Sequence, residues 1–498
     1  MHDSKERYDA PKCHKDTRQA VIKDITSWVS DDSKDTLILW ISAPAGSGKS
    51  AILQTIAFQE SGGLSASFFF SRTAAQRQTE AHFIATIAAQ LAVSIPATRP
   101  FINQAVLDTP FIFDKRLDVQ MKCLVIQPLI CASLQAGRNS QWPSLLVIDG
   151  LDECRGEKVQ ADILRVLSNA LSQLKHSLPS LYLLIASRPE PAIREVFENE
   201  LNGITYHLVL DDSYDPDRDI ATFLRSRFSD IHRRRRTHFP SMSSLPLPWP
   251  SEDVISFLVK KSSGQFIFAA TVIRFVDVDR KLPPAQLKLV LDICKSPDAS
   301  QSKTNPFALL DQLYAHVLQS CEEIDRVLCL LGTIFFLDDH APTPVLLESL
   351  VGTNFEDMKL LFWDLHSIIH VPVSRTDTIH FYHASFRDYL VDHHRSKDLY
   401  IDEHSAQSLL LKSCMRQLCN ATMSPAMGYS QKSWINHYRR GDSLKMGSLD
   451  TLLEHFKPSG CQGSNIDHQT TIPDLLYWWS IYGPIRSKNY DHVSIYFM

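Results

Sequence analysis

The chain has 498 residues and a mass of 56.5 kDa, room for two to four domains of the usual ~100–200 residues. Lys and Arg total 51 against 56 Asp and Glu, so the formal net charge is −5, which excludes a global basic field that would hold nucleic acid or an anionic membrane. Hydrophobic residues make up 44% and charged residues 21%, which excludes a chain disordered throughout. Residues 1–35 are polar, with Val21, Ile25, Trp28 and Val29 at helical spacing over about 17–29. From 37 to 210 short apolar runs (37–42, 65–70, 145–149, 181–186 and 204–210) alternate with helical stretches near 50–59, 79–93, 117–134, 157–175 and 190–198. Continuous apolar strands separated by helices predict an α/β fold, a parallel sheet covered by helices on both faces.

Beyond Leu210 the strands stop. Helices are expected over 215–235, 252–276, 283–294, 307–319, 323–336, 343–351 and 355–367, with a Ser/Pro-rich loop at 240–251 and a linker at 295–306. Two extended runs, 368–374 and 378–383, are split by Arg375-Thr376-Asp377 and lead into a last helix near Ala384, the pattern of a winged helix. Residues 401–455 read as helical, and the tail beyond carries an apolar stretch, Leu475–Trp479, that needs cover. No period of 20–50 residues marks a repeat array. The ten cysteines contain no CxxC pair, the N-terminus has no secretory pattern, and no uncharged apolar run approaches the ~18 residues of a membrane span, the longest candidate being 254–276. The expectation is a soluble, intracellular, cytoplasmic protein.

Chemistry concentrates in three places. The run Ala43-Pro44-Ala45-Gly46-Ser47-Gly48-Lys49-Ser50-Ala51 follows a strand and opens a helix, the context a phosphate-binding loop requires. Gly46 and Gly48 let backbone N–H groups turn toward phosphates, the helix N-terminus adds its positive end, Lys49 can reach the terminal phosphates, and the Ser50 hydroxyl can join Mg²⁺. The strand Leu145–Asp149 ends in a carboxylate able to hold Mg²⁺, directly or through water. Asp152 and Glu153 follow, and one of them can orient or activate an attacking water. Three clustered acids repel one another unless a cation sits among them. A third strand ends in Ser187-Arg188, at the same edge of the sheet, where Arg188 can sense a γ-phosphate. The basic run Arg233–Arg236 reads as a solvated linker in preference to a nucleic-acid or nuclear-import patch, and the histidines have no transition-metal spacing.

GSGKS, LLVIDGLDEC and LLIASRPE, in this order, resemble the NACHT branch of the signal-transduction P-loop NTPases with numerous domains (STAND). SASFFFSR (65–72), KSSGQFIFAATVIRFVD (261–277) and PKCHKDTR (11–18) are similar to the fungal, basidiomycete-type members. The resemblance implies a linker and helix over 1–35, a nucleotide-binding domain over 36–212, a small helical domain over 213–300, a winged-helix domain over 301–400 and a C-terminal helical segment over 401–498. That last segment either packs on the winged-helix side or stops where a further domain would continue. Phe381-Tyr382-His383 matches the family's F-x-H motif, which implies a contact from His383 to the β-phosphate of ADP. The family's Gly-x-Pro turn is Gly264-Gln265-Phe266 here, without the proline, and Thr17-Arg18 is the candidate neighbour of the base. The implied function is an ATP/ADP switch with Mg²⁺, self-associating and meeting protein partners in fungal non-self recognition or regulated cell death. Slow ATP or GTP hydrolysis stays open, as do two rivals: a turnover-driven ATPase and a nucleotide-binding but idle scaffold.

Overall fold

The computed structural model describes residues 1–441 apart from 5–9, 32, 61–62, 73, 75, 137–141, 175–180, 280, 296–306, 339 and 421–423. Most of the expected linker 295–306, the helical expectation beyond 441 and the aromatic tail lie outside the described residues. By its packing the chain divides into two units. The first comprises 1–318, 365–370 and 380–389; the second comprises 319–364, 371–379 and the described residues from 390 on.

The first unit is built on five strands, β1 (Ile38–Ser42), β2 (Leu64–Phe69), β3 (Leu145–Asp149), β4 (Tyr182–Ser187) and β5 (Thr205–Val209). They form one all-parallel sheet in the order β2-β3-β4-β1-β5. Every residue of β1 to β4 is buried, which is why these segments read as unbroken apolar runs; the edge strand β5 keeps only Leu208 buried. The architecture is compatible with a P-loop NTPase-like core. Ser42 pairs with Ser187, and Asp149 with Ala186, so the carboxyl ends of β1, β3 and β4 stand in a row. In open parallel sheets this edge is where ligands bind.

Helices α1 (Gln19–Ser30), α2 (Lys49–Gln59), α3 (Phe83–Ser94), α4 (Arg99–Asp108), α5 (Leu117–Met121), α6 (Gln127–Ala136), α7 (Glu157–Leu174) and α8 (Pro191–Asn199) belong to this layer. Helix α4 was not expected, and only Ile102 of its residues is buried. Helices α5 and α6 join through a π-turn at Lys122–Ile126. The resulting 19-residue helix, Leu117–Gln135, is the one described helix long and apolar enough to cross a membrane. Its Met121, Leu124, Val125, Ile126 and Leu129 are buried in the core that surrounds the sheet, which accounts for that composition.

The first unit continues through α9 (Pro216–Arg235), α10 (Pro240–Ser243), α11 (Glu252–Ser262), α12 (Phe266–Val276), α13 (Pro283–Lys295) and α14 (Ala308–Gln319). The single helix expected over 252–276 is two, because Ser263 (φ 48°) and Gly264 (φ 75°) both take the left-handed conformation that ends α11. The basic run closes α9; Arg233, Arg234 and Arg236 are exposed, as a solvated run would be, and three of its four arginines also pair with acids. Arg233 pairs with Asp230 at 2.7 Å, Arg234 with Asp277 at 2.7 Å, and Arg235 with Asp277 at 3.0 Å and Asp279 at 2.6 Å.

The second unit holds α15 (Ile324–Phe336), α16 (Pro344–Val351) and α17 (Phe355–Leu361). The expected helix 355–367 stops at Leu361 and is followed by a 3₁₀ turn, Trp363–Leu365. The two extended runs pair as a short antiparallel ladder of the first unit, β6 (Ile369–His370) with β7 (His380–Phe381), before α18 (Ser385–Leu390). Helix α19 (His393–Ser396) then leads to α20 (Glu403–Asn420) and α21 (Pro425–Arg440), which pack along each other and against α15 and α16 in the second unit.

Candidate functional site

A cavity of 540 Å³ opens at the carboxyl edge of the sheet, inside the first unit. Its floor is the loop between β1 and α2. Gly46 (φ 78°) and Gly48 (φ 95°) adopt backbone conformations that other residues enter only at a cost, and this is what folds the loop into a cradle ahead of Lys49. Ile267, in the first turn of α12, donates its N–H to the Gly46 carbonyl at 3.2 Å, so the loop is braced from the helical part of the unit. Lys49 folds back along the cradle, and its Nζ donates to the carbonyls of Ala43 (2.8 Å) and Pro44 (2.9 Å). Burial pushes its ammonium below the ordinary value, opposed by the carboxylate of Asp152.

The acid cluster follows β3. Asp149 is 3% exposed; Gly150 turns with φ 68°, and its N–H donates to Ala186 at 2.9 Å, tying the turn to β4. Asp152 is engaged by Arg188, whose backbone N–H reaches Oδ1 at 3.0 Å and whose Nε lies 3.2 Å from Oδ2. Glu153 accepts from the Arg72 N–H at 3.1 Å. Its carboxyl is pushed up to about 7, first by burial and then by Asp152 and Asp149, with Arg72 pulling the other way.

His383 reaches the cavity from the turn after β7. Its Nδ1 accepts the Ser385 backbone N–H at 3.0 Å and lies 2.7 Å from the Ser385 hydroxyl, which in turn meets Tyr314 Oη at 3.0 Å. Burial, aided by Arg188, Lys49 and Arg274 and opposed by Asp388, holds the ring down to about 4, so it is neutral at pH 7. With Nδ1 accepting, the proton sits on Nε2, and the ring is a single neutral donor.

The cavity is also lined by Pro11, Cys13, His14, Arg18, Phe223 and Phe266. Arg18, only 4% exposed, stacks its guanidinium over the Phe266 ring at 4.7 Å and donates from Nη2 to the Ser47 carbonyl at 2.8 Å; its Nε and Nη1 have no hydrogen-bond partner among the described residues. A buried cation with idle donors favours an acceptor-bearing ligand. Of the residues singled out from sequence, Ala45, Gly46, Gly48, Lys49, Ser50, Ala51, Asp149, Asp152, Glu153, Arg188 and His383 line this one cavity. Ala43, Pro44 and Ser47 stand behind it and contribute carbonyls to Lys49 and Arg18.

Sequence reasoning missed four participants. Arg227 and Arg274 line the cavity, and Arg274 sits 4.1 Å from the centre of the Tyr382 ring. Arg72 and Asp388 form ion pairs around Arg188: Arg188 Nη2 to Asp388 Oδ2 at 2.8 Å and Arg72 Nη1 to Asp388 Oδ1 at 3.4 Å. Burial works against the Asp388 charge, but the two arginines outweigh it and hold the carboxyl below its ordinary value. A signal for Arg72 was present, because Ser71-Arg72 comes just after β2 as Ser187-Arg188 comes at the end of β4.

Residues 16–188 match the family model described as Nephrocystin 3, N-terminal. That segment, roughly a third of the chain, runs from just before α1 to the arginine after β4. No curated protein matches the chain.

Proposed function

We propose that the chain binds ATP or ADP with Mg²⁺ and works as a nucleotide-dependent switch. The observation that carries this reading is the arrival of His383, from far along the chain, at the cavity that the Lys49 loop and the acid cluster already line. A polyphosphate would lie along the N–H groups of residues 46–50 and meet Lys49, while the neutral Nε2–H of His383 would donate to a phosphate oxygen. Ser50 and Asp149 offer hard oxygen donors suited to Mg²⁺. Among the described residues no group of three or more His, Cys, Asp or Glu is arranged to hold a metal alone, so the ion would take its other ligands from phosphate and water, as Mg²⁺ commonly does. The idle donors of Arg18 beside Phe266 would suit a base and ribose.

Asp152 is occupied by Arg188, which leaves Glu153, poised near neutrality, as the group to orient or deprotonate water if the nucleotide is hydrolysed. Such hydrolysis would reset the switch. The Nephrocystin 3 N-terminal match supports the phosphate-loop half of this reading. The NACHT resemblance extends it to a small helical segment over 213–300 and to a winged-helix latch over 301–400, with β6 and β7 as the wing. It also extends it to self-assembly in the triphosphate form, in a cytoplasmic fungal non-self or cell-death response. The test is the nucleotide carried by the purified protein, released by denaturation and identified by chromatography. Stoichiometric ADP in the unaltered chain, lost or readily exchanged in Lys49→Ala and His383→Ala, is the expected result. A chain that carries no nucleotide and binds no added ATP or ADP with Mg²⁺ would be a scaffold instead.

A further inference from the structure

The carboxylate of Asp388 lies between two arginines. Arg188 holds one of its oxygens at 2.8 Å and Arg72 approaches the other at 3.4 Å. Both arginines also face Asp152, through Arg188 Nε at 3.2 Å and Arg72 Nη2 at 3.9 Å from the same Asp152 oxygen. Two cations therefore share two carboxylates, and the group of four is charge-balanced as it stands. Asp152 is fixed by the turn after β3, whereas Asp388 is carried on α18, five residues past His383. Arg188 lines the cavity, and its charge is felt at both Lys49 and His383, so the Asp388 carboxylate is held by an arginine that belongs to the phosphate end.

We propose that Asp388 makes the site select a nucleoside diphosphate over a triphosphate, by holding with its carboxylate the arginines that a γ-phosphate would otherwise engage. The proposal rests on the nucleotide-binding reading given above. An arginine fork accepts a carboxylate and a phosphate in the same two-pronged manner, so the two anions are interchangeable partners for it. With a diphosphate bound, the four-membered group keeps its balance and nothing moves. A third phosphate brings further negative charge toward Arg188, and Asp388 must then give up its partner and lie among like charges. The penalty falls on the triphosphate alone, so Asp388 acts on the ratio of the two affinities rather than on affinity as such.

The experiment is a pair of titrations on the nucleotide-free 498-residue chain, with ADP and with a β,γ-imido ATP analogue, both with Mg²⁺. Each is run on the unaltered chain, on Asp388→Asn and on Arg72→Ala. Asp388→Asn keeps the shape of the side chain and removes its charge, and should tighten the triphosphate analogue relative to ADP by about tenfold or more, the worth of one charge-assisted hydrogen bond. Arg72→Ala removes one of the two cations and leaves Asp388 to Arg188 alone, so it should move the ratio the opposite way, toward ADP. A ratio unchanged in Asp388→Asn, with both nucleotides still bound, overturns the proposal and leaves the nucleotide-binding reading intact. No binding of either nucleotide by the unaltered chain overturns both.

Discussion

Glu153 and His383 line the same cavity with their protonation displaced in opposite senses. The Glu153 carboxyl is raised from 4.5 to about 7 and the His383 ring lowered from 6.5 to about 4. Between 4.5 and 7 the folded chain keeps a proton on Glu153 that the unfolded chain has released, so this residue makes stability fall as pH rises. Between 4 and 6.5 the unfolded chain holds a proton that folded His383 refuses, so this residue makes stability rise with pH. Each shift corresponds to roughly 3–4 kcal/mol, since one unit is ~1.4 kcal/mol, and across 4.5–6.5 the two slopes oppose each other. Single substitutions should expose them. In nucleotide-free protein His383→Gln should leave a denaturation midpoint for the first unit that declines with pH over this window, and Glu153→Gln one that climbs. Equal pH profiles for the two variants would show that neither group is displaced as described. If Glu153 handles water, Glu153→Gln should abolish hydrolysis while leaving nucleotide bound.

At the scale of elements, the loop 43–51 depends on what α12 allows. A side chain on Gly46 would force a left-handed residue to carry a Cβ, at ~1–2 kcal/mol, and would drive that Cβ into the Cγ2 of Ile267. Gly46→Ala should therefore leave a folded chain that no longer retains nucleotide. Adding Ile267→Ala should recover part of the retention, because it removes the clash and not the backbone strain; no recovery would locate the whole effect in the loop's conformation. The same elements explain what the sequence disclosed. Strands β1 to β4 are buried on both faces, so Ile38–Ser42 or Leu145–Asp149 could be nothing but uninterrupted apolar runs, and a polar residue closes each of these two at the sheet edge. The loop 43–51 and Asp149, Asp152, Glu153 and Arg188 were legible because each sits at a strand end, where chain order alone fixes its place. Ser263 and Gly264 lie in a polar interruption, 260–265, that helical spacing can read through, and their left-handed backbone is what ends α11 there. Arg72, Arg227, Arg274 and Asp388 were not legible as a set, because their partners are distant in sequence and an isolated Arg or Asp reads as surface. His383 was found through family resemblance; its tautomer, set by the Ser385 N–H, could not have been.

At the scale of the whole molecule, every residue lining the cavity, from Pro11 to His383, falls in the first unit. The second unit has a polar centre of its own: Asp338 takes Arg440 at 3.2 Å and Asn436 at 3.1 Å, while His437 bridges Tyr429 and Gln407 at 2.5 Å each. Ligand binding stabilises what it touches by RT ln(1 + [L]/Kd), ~2.7 kcal/mol at a hundredfold excess over Kd, which slows exchange through cooperative opening of that part by about a hundredfold. Hydrogen–deuterium exchange with and without ADP and Mg²⁺ should accordingly show new protection in the segments around 11–18, 45–51, 149–153, 223–227, 266–274 and 382–388. The paired helices α20 and α21 should exchange at their ligand-free rate. Protection that extended into α20 and α21 would mean the two units open as one cooperative body, and the site's stabilisation would then belong to the whole chain. Protection confined to 45–51, without 382–388, would separate His383 from the ligand and reduce the site to a phosphate loop with no partner from the later segment.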